Sequence, residues 1–327
     1  MPFINTCILT SIFPHARALE DAAAEYVRAT AAGRAPADER SDRRVSVVII
    51  TRSRRDDLIR TLGRLVELPE GPEIIVVDND SSDRTPGAVR SNFPAVQLVC
   101  LNRNLGAAAR TIGVRAASAP VVAFADDDSW WAPGSLDRAA SHFEHHRALG
   151  LICGRIVVEP DASVDPACLK MGTAALGQRD GSPGPRILGH LACGAVVRRS
   201  AYLQVGGYSE LLGFGGEELL LALDLAAAGW EQCYAADVVA HHQPSPVREA
   251  WPERWARYRR NDTLTAWLRL PWPQALAETG GLIADAIREA TARRELARFA
   301  CLLPKACRLR RPVDRELATD FAAARAV

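Results

Sequence analysis

Short β-branched or aliphatic runs alternate with amphipathic segments from residue 45 onward. The run 45–50 is typical of a strand buried on both faces. Similar runs follow at 74–78, 96–101 and 120–125, and helical periodicity fills 53–66 and 106–117. Strands that alternate with helices in this way predict an α/β domain with a mostly parallel central sheet built from βαβ units.

The second half of the chain is less regular. It predicts strands at 151–158 and 232–239 and a helix at 216–228, which Gly229 ends. Between them, 160–190 is rich in Gly, Pro and Asp. A loop of this length is either a lid over a site or a tolerated surface insertion, and the sequence favours neither.

Composition narrows the class of protein. The 327 residues carry a net charge of +1, which argues neither for nor against nucleic acid, and we expect no nucleic-acid partner. None of the eight cysteines forms a CxxC pair, and several lie in apolar runs, so we expect reduced thiols in the cytoplasm. No apolar run approaches the ~20 residues that span a bilayer, and 3–13 does not resemble a signal peptide.

Three consecutive aspartates, Asp126, Asp127 and Asp128, end the strand at 120–125. Their charges repel one another unless a cation lies among them, and oxygen ligands suit Mg²⁺ or Mn²⁺ with a bound diphosphate. Alternation along an extended segment would direct Asp126 and Asp128 together and Asp127 elsewhere. An acidic loop or the start of a helix would also explain the triplet.

Polar residues also follow other strands of the predicted sheet. Thr51 follows the first strand, and Asp78 and Asn79 follow the second. Ligands of parallel sheets bind at the carboxyl ends of the strands, so these residues and the aspartates should share one edge. Helix-capping residues after strands would account for one or two of them, but less easily for the whole cluster.

The order of the motifs resembles a family 2 glycosyltransferase of the GT-A fold, the inverting class that uses nucleotide sugars. The resemblance runs from about residue 45 to about 246 and rests on six motifs: 47–54; 76–79 with Asp83 and Thr85; 104–113, which contains Asn104, Gly106 and Arg110; 124–128 with Pro133; 205–208 followed by 216–218; and Gly229-Trp230 with His241.

The resemblance implies a role for each matched residue. Thr51, Asp78 and Asn79 would contact the nucleobase and ribose, and Arg110 the base or the pyrophosphate. Asp126 and Asp127 would bind the nucleotide sugar. Asp128, assisted by Asp126 and by His241 or its neighbour His242, would hold Mn²⁺ or Mg²⁺. Glu218 would be the general base, with Glu217 as the alternative.

The resemblance also divides the chain. It implies a GT-A domain at 45–250, while composition and pattern predict an N-terminal helical extension and linker at 1–44 and a C-terminal helical region at 251–327. Within the domain, 45–135 would bind the nucleotide and 136–250 would face the acceptor. The donor would be a UDP-, dTDP- or GDP-linked sugar, and the acceptor a glycan, a lipid-linked molecule or a small molecule.

Several residues depart from the family pattern. Arg52 and Ser53 replace an aromatic residue and Asn, Thr111 replaces Asn, Glu218 replaces Asp, and Leu220 replaces a second acid. The last two changes leave open a catalytically silent nucleotide-sugar binder. A sugar-nucleotide pyrophosphorylase is disfavoured, because no glycine lies in the loop 51–54.

The C-terminal region is basic. Eight basic residues lie between Arg288 and Arg311, against Glu289 and Glu295. This pattern fits either peripheral contact with the inner face of a membrane or a terminal helix packed on the domain. Pro304 argues against one long interfacial helix.

Overall fold

The computed structural model describes residues 43–173, 175–246 and 249–326. The predicted extension at 1–44 lies almost entirely outside the described residues. The rest confirms the predicted α/β fold, in which one mixed sheet is flanked by helices. Its strands are β1 (Val45–Thr51), β2 (Glu73–Asp78), β3 (Gln97–Cys100), β4 (Val121–Asp126), β5 (Ser129–Trp131), β6 (Leu149–Val158), β7 (Ser163–Val164), β8 (Ala195–Arg198) and β9 (Glu231–His242).

The helices predicted at 53–66, 106–117 and 216–228 are present, and the structure adds others. They are α1 (Arg55–Val66), α2 (Thr85–Asn92), α3 (Ala109–Ala116), α4 (Ser135–His145), α5 (Pro166–Met171), α6 (Arg199–Gln204), α7 (Glu217–Ala227), α8 (Trp251–Arg269), α9 (Trp272–Arg288), α10 (Ala290–Arg308) and α11 (Arg315–Ala326). The region predicted as a long loop at 160–190 contains β7 and α5.

The sheet has the strand order β3-β2-β1-β4-β8-β6-β9-β5, and β7 pairs with β6. Strands β3, β2, β1 and β4 are parallel to one another. Because Thr51 pairs with Asp78, and Ile50 pairs with Asp126, the carboxyl ends of β1, β2 and β4 meet at one edge. The register therefore brings the polar residues that follow these strands together.

Two local predictions were wrong. The helix predicted over 53–66 begins at Arg55, because Ser53 lies at φ 52° and bonds to Ser81 and Ser82. Asp83 from the next loop accepts a hydrogen bond from the Arg55 N–H at 2.9 Å. Pro304 lies inside α10 and does not end it. The missing proline N–H is tolerated on this exposed side of the helix, where water can satisfy the freed carbonyl.

The C-terminal helices pack against α7 and the loop before it. Leu264 and Leu268 of α8 bury apolar surface with Leu212 and Leu220. Asn261, which is fully buried, donates to the carbonyl oxygens of Leu212 and Gly215. Helix α8 therefore fixes the turn that leads into Glu217 and Glu218.

Candidate active site

A cleft of about 540 Å³ opens at the carboxyl edge of the sheet. One wall consists of residues at the ends of β1, β2 and β4, including Thr51, Asn79 and Asp126. The opposite wall consists of the start of α7 and the first turns of α8. The cleft thus joins the strand ends to helices that lie far away in the sequence.

The first aspartate is paired with a buried arginine. Arg110 on α3 is 1% exposed and forms an ion pair with Asp126 at the end of β4. Burial opposes its charge, but Asp126 and the nearby Glu217 and Glu218 raise the pKa of Arg110 above its ordinary value. Among the described residues, its Nε and Nη1 atoms have no hydrogen-bond partner. Arg110 therefore brings a fixed positive charge with spare donors to the cleft.

The next two aspartates share a second arginine. Nη1 of Arg54 lies 3.1 Å from Asp127 Oδ1 and 3.3 Å from Asp128 Oδ2. The expectation that Asp127 points away from Asp128 was wrong, because the two residues form the turn between β4 and β5 and strand alternation ends at Asp126. Burial, opposed by Arg54, raises the pKa of Asp127 to about 7.

Strand β9 brings only one histidine of the pair to the aspartates. Nε2 of His242 lies 3.4 Å from Asp128 Oδ1. His241, the residue predicted as a metal ligand, bonds to Glu159 at 2.8 Å and stacks on Trp130 at 5.4 Å. Successive side chains of a strand point to opposite faces, so the structure places His242, the stated alternative, at this position.

Asp128 and His242 form a donor set that suits a divalent metal. A carboxylate and an imidazole are ligands of Mn²⁺, and a hard cation of this kind takes its remaining ligands from phosphates and water. Among the described residues, no group of three or more His, Cys, Asp or Glu side chains is arranged to hold a metal. Of the described residues, Asp128 and His242 would supply two ligands to such a metal.

The remaining predicted nucleotide contacts differ in position. Thr51 lines the cleft and donates to Asp127 Oδ2 at 3.1 Å. Asn79 also lines it, and its side chain binds Leu105 N–H and the Gly106 carbonyl, which fixes the loop before α3. Asp78 is buried, and its Oδ2 accepts the Ser81 N–H bond. Asp78 therefore stabilises the loop that follows β2.

Two glutamates at the start of α7 line the same cleft as the aspartates. Glu217 is buried, whereas Glu218 is partly exposed, and both line the cleft. Gly216 precedes them at φ 83°, a conformation that favours glycine and lets α7 begin at the wall of the cleft. Burial is the main cause that raises the pKa of Glu218 well above 4.5, and the negative charge of Glu217 raises that pKa further.

Sequence reasoning missed part of the site. Arg54 lay in a motif but was given no role, and Arg254, Arg257 and Tyr258 of α8 were not considered. The spacing of the last three residues, i, i+3 and i+4, puts them on one helix face and could have marked them. Of the adjacent Trp130 and Trp131 after the aspartates, Trp131 is fully buried in the core.

Comparison with known proteins agrees with this geometry. Residues 46–206 match the profile described as Glycosyl transferase family 2. The N-acetylglucosaminyl-diphospho-decaprenol L-rhamnosyltransferase of Mycobacterium tuberculosis is 31% identical over 269 residues, which covers 69% of this chain and 86% of the relative.

Two solved structures share the fold at low identity. S. aureus TarS 1-349 in complex with UDP-GlcNAc is 17% identical with a TM-score of 0.56, and the match covers 86% of this chain and 87% of that one. GalNAc-T7 with UDP, GalNAc and Mn²⁺ is 16% identical with a TM-score of 0.54, and the match covers 70% and 48%. Both support the GT-A fold. This chain belongs to glycosyl transferase family 2 and is an enzyme that transfers sugar from a nucleotide-sugar donor.

Proposed function

We propose that this enzyme moves a sugar from a nucleotide diphospho-sugar to an acceptor hydroxyl in one displacement that inverts the anomeric centre. The observation that carries the proposal is the shared cleft. Asp126, Asp128 and His242 lie on its strand-end wall, and Glu218 lies on its helical wall. Such an arrangement suits a leaving diphosphate on one side and an attacking hydroxyl on the other.

The strand-end wall would bind the donor. Thr51 and Asn79 would contact the nucleoside, while Asp126 and Asp127 would be held in place by Arg110 and Arg54. Asp128 and His242 would hold Mn²⁺ or Mg²⁺ together with the diphosphate. When bound, such a metal neutralises the negative charge that grows on the leaving group.

The helical wall would activate the acceptor. The hydroxyl oxygen forms the new bond to the anomeric carbon, the bond from that carbon to the diphosphate oxygen breaks, and the hydroxyl proton passes to Glu218. We prefer Glu218 to Glu217 because it is the more exposed of the two, whereas Glu217 is 2% exposed beside Arg110. A raised pKa keeps a carboxylate basic enough to accept a proton near neutral pH.

We propose that the acceptor is a lipid-linked sugar diphosphate. The name of the rhamnosyltransferase relative specifies such a molecule as its acceptor. Arg254 and Arg257 line the cleft, where Arg257 pairs with Glu249 at 2.5 Å, and together they would attract a second diphosphate. The donor would carry UDP, dTDP or GDP. Because Arg52 replaces the usual aromatic residue, the family pattern does not identify the nucleobase.

A thermal-shift screen with UDP, GDP and dTDP, with and without Mn²⁺, tests the donor side. Because a ligand that binds only the native state raises its apparent stability, one nucleotide should raise the Tm most and Mn²⁺ should enlarge that shift. Asp128→Ala should abolish the additional increase in Tm that Mn²⁺ causes. Asp180→Ala, in an exposed loop, should leave that increase unchanged. Shifts that are equal for all nucleotides and independent of Mn²⁺ would contradict the proposal.

A further inference from the structure

Helix α9 exposes an apolar stripe to solvent. Trp272, Leu276, Ile283 and Ile287 are 53%, 58%, 45% and 77% exposed. Their spacings of four, seven and four residues place them on one face of the helix. Scattered apolar residues on a surface need no explanation, but a contiguous stripe along a whole helix marks an interaction surface.

The neighbouring helix α10 exposes positive charge. Arg293, Arg294, Arg298, Lys305 and Arg308 are all exposed. Its one acidic residue, Glu295, is 7% exposed and pairs with Arg260 of α8 at 2.8 Å and with Arg298 at 2.6 Å. The solvent face of α10, all of which lies in the described part of the chain, therefore presents five basic side chains, of which Arg298 is paired with the buried Glu295.

These two faces belong to one structural unit. Helices α9 and α10 are consecutive and pack against each other. The guanidinium of Arg310, just after α10, lies 4.1 Å from the ring centroid of Trp272 and joins the two faces at one end. We call the exposed residues of α9 and α10 named above the basic-apolar surface.

One end of the basic-apolar surface packs against the part of α8 that also carries cleft residues. Arg259 in the middle of α8 binds Glu278 at 2.8 Å and Asp285 at 3.2 Å, so the end of α9 lies beside the first half of α8. That half of α8 carries the cleft residues Arg254, Arg257 and Tyr258. It also exposes Trp251 and Trp255, which are stacked with ring centroids 6.0 Å apart.

We propose that the basic-apolar surface docks on a membrane that contains anionic lipids, with the mouth of the cleft next to the bilayer. Apolar side chains flanked by Arg and Lys match the acyl boundary and the anionic headgroups, and tryptophan favours the interface between them. Within the described residues, none of the helices is both long and apolar enough to cross a bilayer, so the contact would be peripheral.

A second copy of the chain is a poorer occupant of this surface. A two-fold interface would bring the same patch of both copies together, and the five basic residues of one copy would face the five of the other. Charges of one sign repel at an interface unless carboxylates separate them, whereas anionic headgroups neutralise them. The membrane-docking inference rests on one part of the proposed function, the assignment of a lipid-linked acceptor.

Co-sedimentation of the full chain with vesicles tests the proposal. The protein should bind vesicles of phosphatidylcholine mixed with phosphatidylglycerol and bind pure phosphatidylcholine weakly. The double variant Arg294→Gln, Arg308→Gln should lower binding to anionic vesicles roughly 25-fold, at roughly fivefold per basic residue. Its matched control is Arg84→Gln, Arg90→Gln, which removes the same charge from exposed positions near α2.

The apolar stripe is tested in the same assay. Ile283→Gln with Ile287→Gln should lower vesicle binding roughly tenfold or more, because two aliphatic side chains no longer enter the bilayer. The control is Val66→Gln with Leu169→Gln, which alters apolar residues that are 47% and 62% exposed elsewhere. An unchanged Tm would show that each variant is folded.

Donor hydrolysis without vesicles separates this inference from the proposed function. The surface variants should hydrolyse the donor at the parent rate, since none of the altered residues lines the cleft. Failure of the parent chain to bind anionic vesicles would overturn the membrane assignment and leave the cleft chemistry intact. Equal binding by surface and control variants would also overturn it, as would a dimer that the surface variants dissociate.

Discussion

The two walls of the cleft are built in different ways. The strand-end wall is formed by β1, β2 and β4, whose register places Thr51, Asp78 and Asp126 at one edge. The helical wall is formed by α7 and α8, which are held by side-chain bonds such as those from Asn261 to Leu212 and Gly215. The first wall is built by backbone pairing of parallel strands, whereas the second is built by side-chain bonds and helix packing.

The walls also differ in how charge is balanced. On the strand-end wall, Asp126 pairs with Arg110, and Asp127 and Asp128 share Arg54. On the helical wall, Glu217 Oε2 is buried and has no hydrogen-bond partner among the described residues. Burial also raises the pKa of Glu218 on this wall, which makes its carboxylate a stronger base. The difference suits the first wall for binding and the second for proton transfer.

The largest expected effect tests this division on the helical wall. Glu218→Gln should lower kcat by about 10²–10⁴-fold, because the acceptor hydroxyl loses its proton acceptor. The Tm increase caused by the nucleotide should persist, since donor binding belongs to the other wall. Steady-state kinetics with the parallel variant Glu217→Gln checks the choice of base. If Glu217→Gln gives the larger loss, Glu217 takes that role.

On the strand-end wall, removal of the buried charge should destabilise the fold. Arg110→Met leaves Asp126 and Glu217 without their cation and should lower the free energy of unfolding by about 3–5 kcal/mol. Urea denaturation measures the change. Arg103→Met is the control, because Arg103 is 58% exposed and 3.9 Å from Glu210, and it should cost about 1 kcal/mol or less. Similar losses in the two variants would refute a special role for Arg110.

The adjacent histidines of β9 provide an internal control for the metal. His242→Gln should weaken the effect of Mn²⁺ on nucleotide binding at least about tenfold, because a ligand beside Asp128 is lost. His241→Gln should leave it unchanged, since His241 binds Glu159. Titrations of the nucleotide with and without Mn²⁺ give the comparison. If both variants changed the effect of Mn²⁺ equally, His242 would not be the metal ligand.

The same contrast explains how much the sequence could predict. The parallel strands and the residues at their carboxyl ends follow from local patterns, because strand alternation and turn position are encoded within a few residues. The prediction from the sequence failed where the alternation of strand side chains ends. Asp127 lies in a turn, and its partnership with Arg54 depends on two segments more than 70 positions apart. Arg254 and Tyr258 lie on α8, and only tertiary packing brings that helix to the cleft.

The choice between His241 and His242 shows a finer limit. Both residues follow the same apolar run, and the sequence places them at the end of one strand. Their faces are fixed by pairing, since His241 pairs with Trp130 and His242 pairs with Ser129. A shift of one residue in that pairing would exchange the two histidines. Register between distant strands is the information that local patterns lack.

The smallest expected effect concerns stability against pH. The folded state raises the pKa of Glu218, so it binds the proton more tightly than the unfolded chain, whose value is near 4.5. The associated stability is fully present below 4.5 and is lost as the pH rises through the folded pKa. Gln cannot ionise, so Glu218→Gln should be more stable than the parent by about 1 kcal/mol or more at about pH 9.

At about pH 4 this difference should nearly vanish, because Glu218 is then protonated in both the folded and the unfolded states. Thermal unfolding at both pH values measures it, with Glu253→Gln on the exposed face of α8 as the control that should show no gain. A gain of the same size at both pH values would mean that the substitution acts through packing and not through ionisation. Together with the loss of kcat, a gain confined to high pH would show that the carboxylate required for proton transfer destabilises the wall that holds it.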